Sequence, residues 1–148
     1  MELSADDEAW LVRALREVHF FSPLTVGEVD QLLKSFQKRQ FGKRARVIRK
    51  GDFGDFFCII RSGRLLVWLP RLSFLKKRLA TLGEGSYFGE SALLSGERRN
   101  ANVSTLEESE LLFLYQADFL DLIDKNPELR HRLKKSMEER RSEQSWSG

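Results

Sequence analysis

The sequence has one cysteine, Cys58, and two histidines, His19 and His131, among 148 residues. A single cysteine excludes a disulfide framework within the chain and a cysteine-built zinc site. Two histidines, both in helical or connecting stretches, are too few for a His–carboxylate metal centre. They also place no base near Cys58 or Ser91 for nucleophilic catalysis. No catalytic residue and no metal is therefore expected, and Cys58, between Phe57 and Ile59, reads as a small core residue. No apolar run approaches the ~20 residues of a membrane-spanning helix. The N-terminus is acidic and polar, unlike a secretory signal, so a cytoplasmic protein is expected. Net charge is small too: 25 Lys and Arg against 22 Asp and Glu give +3. That balance makes no case for a nucleic-acid partner.

What is present suits one globular domain. Apolar residues make up 41%, and the 11 phenylalanines favour strands and a filled interior. Residues 4–18 read as an amphipathic helix with Ser4 as N-cap and Asp6, Asp7 and Glu8 in its first turn. Thr25 to Glu28 is a capping box, and a second helix is expected to run to about Gln37. From Gln40 short strands with glycine turns follow: 41–48, 56–60, 64–69, 78–82, 101–106 and 110–115. That rhythm predicts an antiparallel sandwich or barrel. Residues 70–77 read as a loop that is apolar for its kind, with Leu72, Phe74 and Leu75 either folded onto the barrel as a hairpin or helical turn, or exposed to dock a partner. After Tyr115 the helical period returns. Asn126 and Pro127 restart it as N-cap and first helical residue, ahead of a polar helix with a thin stripe of Leu129, Leu133 and Met137.

The chemistry concentrates in residues 88–103, FGESALLSGERRNANV. Gly89 permits a positive φ or a close backbone approach. Glu90 to Leu94 suffices for about one helical turn, whose first N–H groups have no partner within the helix and favour an anion. Arg99 follows where a returning strand can bring a guanidinium over the same spot, and its planar fork matches two phosphate oxygens. Glu90 would repel a phosphate, but makes sense as acceptor for a neighbouring sugar hydroxyl. Phosphate plus sugar hydroxyl, held by so few residues, suggests a compact nucleotide.

This stretch resembles the phosphate-binding cassette of cyclic nucleotide-binding domains, as found in protein kinase A regulatory subunits, catabolite activator proteins and cyclic-nucleotide-gated channels. Phe88, Gly89, Glu90, Ala92, Leu93, Leu94, Gly96, Arg99, Ala101 and Val103 match its pattern without a gap. Arg98 stands where the pattern has proline, which removes a fixed φ and adds a second cation. The resemblance implies an eight-stranded antiparallel jelly-roll barrel with N-terminal helices and C-terminal hinge and lid helices. It divides one domain, 1–148, into helices at 1–39, barrel at 40–115 and C-terminal helices at 116–141. Arg99, with backbone N–H groups near Ser91, Ala92 and Asn100, would hold the cyclic phosphate. Gly89 and Glu90 would hold the ribose. The last helix would close as a lid, with Asn100, Leu133, Met137 or Trp146 near the base.

The function implied is a cyclic mononucleotide receptor, cAMP favoured and cGMP second, that switches a protein effector and needs no cofactor. The helix-turn-helix, kinase and channel outputs of relatives are not expected within these residues. The alternative is a degenerate domain that binds no nucleotide and serves as an interaction module. It is kept open by Arg98, Asn100 and Asn102 at positions where other residues are commoner.

Overall fold

In a computed structural model the structure describes residues 1–72, 75–90, 92–96 and 98–141. Of Ser95, Met137, Glu139, Arg140 and Arg141 it describes the backbone alone. Ser91, Phe74 and Trp146 lie outside the described residues.

Helix α1 spans Ala5–Arg16 and α2 spans Val26–Leu33, with a 3₁₀ turn at His19–Phe21 between them. Both helices start on capping boxes, Ser4 with Asp7 and Thr25 with Glu28, each satisfying two otherwise orphaned N–H groups. Eight strands follow among the described residues: β1 (Gln37–Phe41), β2 (Arg46–Ile48), β3 (Phe56–Ser62), β4 (Leu65–Arg71), β5 (Leu75–Leu82), β6 (Tyr87–Phe88), β7 (Asn102–Thr105) and β8 (Ser109–Tyr115). They form two antiparallel four-stranded sheets, β1-β8-β3-β6 and β2-β7-β4-β5. The short helix α3 (Ala92–Ser95) lies between β6 and β7. Helices α4 (Gln116–Ile123) and α5 (Pro127–Arg141) end the described chain.

The fold is the expected jelly roll. One core lies between the sheets, around Cys58, Ile60, Val67, Phe88, Val103 and Phe113. A second joins the first sheet to the helices, through Leu11, Phe20, Phe21, Phe57, Phe119 and Leu133. The two cores explain the pattern of β3: Phe57 and Ile59 face the helices, while Cys58 and Ile60 face the other sheet.

Three boundaries differ from the sequence reading. The second helix stops at Leu33, and Gln37 already pairs with Phe113, because ladder bonds to β8 outweigh helical propensity. The expected strand 41–48 is two strands in different sheets, broken by a turn in which Arg44 takes φ 62°. Residues 70–77 are not a loop for most of their length: β4 and β5 pair from Leu65↔Leu82 out to Arg71↔Leu75. Leu72 and Leu75, beside that hairpin's end, are exposed.

Candidate functional site

The site forms where β3, β6 and the segment before β7 meet. Phe88, almost fully buried, pairs with Cys58 and fixes the end of β6 against β3. Gly89 follows with φ 88°, in the left-handed region that favours glycine. A Cβ there would stand 2.5 Å from the Phe56 carbonyl oxygen and 2.7 Å from Arg99 Nη1. The guanidinium of Arg99 therefore lies directly on the Gly89 backbone.

Arg99 is 3% exposed. Its Nη2 donates to the Phe56 carbonyl at 2.6 Å, and its Cζ sits 4.7 Å from the centre of the Phe56 ring. Its backbone is held from the other side: the Arg99 N–H donates to Asp52 O at 2.7 Å, and its carbonyl accepts from the Gly51 N–H at 2.8 Å. Burial lowers its pKa to about 10, and the negative charges of Asp55 and Glu90 work against that shift. The guanidinium remains charged at neutral pH, desolvated and pinned in place. Desolvation makes it a stronger partner for an anion than the same group in water. It also raises the pKa of Cys58, whose burial outweighs the nearby Arg99 and Arg39 charges. Cys58 is thus a protonated core thiol, as expected.

Glu90 is 5% exposed and near enough to act electrostatically on Arg99. Helix α3 then starts at Ala92, but the Ala92 N–H donates to Gly89 O at 3.1 Å and the Leu93 N–H to Glu90 O at 3.3 Å. Ala92, expected among the phosphate N–H groups, is engaged within its own turn. Gln116, the first residue of α4, donates through Nε2 to Ala92 O at 3.0 Å and so ties α3 to α4. Asn100 is exposed. Asn102 is buried and structural: its Oδ1 accepts from the Lys50 N–H at 2.8 Å.

Arg98 does not enter the site. Its guanidinium lies 4.1 Å from the centre of the Phe53 ring and donates to Gly51 O at 2.7 Å. The second cation is spent on clamping the Gly51–Phe53 turn, where a proline would supply only a fixed φ.

Leu133 sits on α5, the helix expected to act as a lid. It is fully buried in the helical core, and α5 packs chiefly on the 3₁₀ turn. Ser136 Oγ donates to His19 O at 2.9 Å, and Arg132 donates to Pro23 O. The stripe that packs is Leu129, Leu133 and Ser136. The Met137 side chain and Ser91 fall outside what is described. The sequence reading missed Phe56, Asp55 and Gln116. The turn at residues 51–55 was visible as a turn, but nothing local marks it as the partner of a residue more than 40 positions later.

The site is thus an antiparallel jelly roll that carries a buried arginine folded onto a positive-φ glycine, with a carboxylate nearby. The family model described as the cyclic nucleotide-binding domain matches residues 38–126, and the chain belongs to that family. It is 34% identical to the cyclic AMP receptor protein of Thermus thermophilus over 76% of this chain and 52% of that protein. It is 35% identical to a cyclic nucleotide-gated potassium channel of Rhizobium etli over 84% of this chain and 33% of the channel. Among solved structures, the N-terminal domain of a transcriptional regulator from Streptomyces coelicolor superposes with a TM-score of 0.78 at 22% identity, covering 88% of this chain and 91% of that one. The chain spans about half or less of the curated relatives it matches here. Among the described residues no helix is long and apolar enough to cross a membrane.

Proposed function

We propose that this domain binds one cyclic mononucleotide, with cAMP preferred over cGMP, and that occupancy repositions its C-terminal helices to act on a protein effector. The observation that carries the reading is the Arg99 guanidinium, buried and charged on the Gly89 backbone with Glu90 beside it. Arg99 takes the cyclic phosphate. Glu90, with the Gly89 backbone, takes the ribose 2′-hydroxyl. Asn100, which is exposed, is available to the base. The N–H groups of Ser91, Ala92 and Asn100 complete the cradle, and that of Ala92 must first exchange its bond to Gly89 O.

Support for a switch comes from the packing. Gln116 links the cassette helix to α4, α4 packs on α5, and α5 holds the 3₁₀ turn. A ligand shifts this set only through its different affinity for the two arrangements. Capping of the base by Leu133 or Met137 requires α5 to leave the His19–Phe21 turn.

Titration calorimetry with cAMP, cGMP, AMP and cyclic di-GMP tests the reading. Binding of a cyclic mononucleotide, and not AMP, is expected. Arg99→Ala should weaken it at least about 10-fold, since a charge-assisted bond is worth ~1.5–3 kcal/mol. Arg99→Ala with unchanged affinity sinks the assignment. Absence of binding by every nucleotide would favour the degenerate interaction module.

A further inference from the structure

The outer face of the second sheet carries a feature that the cassette does not use. A groove of about 440 Å³ runs along it, lined by Lys43, Arg44, Arg46, Lys76 and Arg78 around Trp68. No acidic residue lines it. Trp68 is nearly buried; Arg46 Cζ lies 4.9 Å and Lys76 Nζ 4.5 Å from its ring centre, while its Nε1 donates to Ser104 Oγ at 3.0 Å. The ring thus engages two of the groove cations. Elsewhere Lys38, Arg61, Arg64, Arg130 and Arg132 pair with carboxylates. Among the described residues none of the five groove cations does, although the chain has nearly as many acids as bases.

A second observation lies at the end of the same hairpin. Leu72 is 80% exposed and Leu75 48%, two of the five large apolar side chains exposed among the described residues. Leu72 also takes φ 56°, a conformation that leucine rarely adopts. Arg71 and Lys77 flank the pair and are exposed. At about 3.3 Å per residue, Lys76 and Arg78 lie within about 10 Å of the tip, which is near one Debye length at physiological salt.

An acidic peptide would use the cations and leave the leucines in water. An anionic bilayer uses both, because apolar side chains enter the headgroup boundary while neighbouring cations meet the lipid charge. We propose that the β4–β5 hairpin and the basic groove dock this domain on an anionic membrane surface. No groove or tip residue belongs to residues 88–100, so the surface is independent of nucleotide binding.

The test is flotation of the full chain with vesicles of phosphatidylcholine alone and with about a quarter phosphatidylglycerol. At least tenfold enrichment on the anionic vesicles is expected, falling steeply at about 0.5 M salt. Lys76→Glu with Arg78→Glu should abolish the enrichment, and Leu72→Ser should reduce it threefold or more. Leu72→Ser should leave binding to soluble heparin unchanged. Circular dichroism and the unfolding midpoint verify the fold of each variant; Lys134→Glu, on the exposed side of α5, and Arg99→Ala should float like the wild type. Equal binding to neutral and anionic vesicles, or none to either, overturns the proposal. So does full vesicle binding by Leu72→Ser, which would mark a general polyanion surface instead.

Discussion

A methyl group at Gly89 would meet the Phe56 carbonyl and the Arg99 guanidinium together, on a backbone whose φ of 88° already disfavours a side chain. Gly89→Ala must push out Arg99 or bend the end of β6. We expect it to cost affinity at least as severely as Arg99→Ala and to lower stability by about 1–3 kcal/mol, read by calorimetry and denaturant unfolding. Asp7 supports the fold from the opposite end of the chain. Its carboxylate accepts from Lys38 Nζ and Arg61 Nε, both at 3.1 Å, and from the Ser4 backbone. Burial pushes its pKa up, but these bonds outweigh it and hold the group at about 2 against an ordinary 3.8. A lowered folded-state pKa gives stability that is present above the unfolded value and lost as pH falls through the folded one. The shift corresponds to about 2 kcal/mol, intact at neutral pH and lost between about pH 4 and pH 2. Asp7→Asn should be less stable at pH 7 and show a flatter stability profile across that window in urea melts. An unaltered profile would remove Asp7 as the anchor of α1.

Among the elements, α5 is the one whose position decides whether the domain can switch. Its composition is mainly polar, and its sequence stripe is thin. In place it buries Leu129, Leu133 and Ser136 against the helical core and the 3₁₀ turn. Leu133→Ala should cost about 2–5 kcal/mol by opening a cavity in that core. If α5 closes over a ligand, hydrogen exchange at 129–141 and at the 3₁₀ turn should change together when cAMP is added. Exchange that is identical with and without ligand would remove the lid while leaving binding intact. The capping boxes of α1 and α2, and Asn126 accepting from the Leu129 N–H at 3.1 Å, were legible because their partners lie three residues apart. The end of α2 was not, since Gln37 has no local reason to leave a helix and is claimed by Phe113, 76 positions away.

For the whole molecule, a ligand that binds only the folded state stabilises every element together. At about 100 times its dissociation constant it adds ~2.7 kcal/mol, which for a domain of this size raises the unfolding midpoint by roughly 5–10 °C. We expect that rise with a cyclic mononucleotide, no rise with AMP, and none in Arg99→Ala. A midpoint that AMP raises equally would show a phosphate site without selection for the cyclic form. The sequence by itself determined the strand rhythm, the helix starts and the residues of the cassette, because turns, caps and a gapless motif are set by neighbours a few positions apart. Only the tertiary structure decided that Phe56 and the turn at residues 51–55 hold Arg99, and that Arg98 faces away onto Phe53. It alone packs Leu133 into the helical core, and brings cations from two strands and a turn onto one groove. Each of these depends on which distant strands pair and in what register, and pairing across the sheets is a property of the packed cores rather than of any local run of residues.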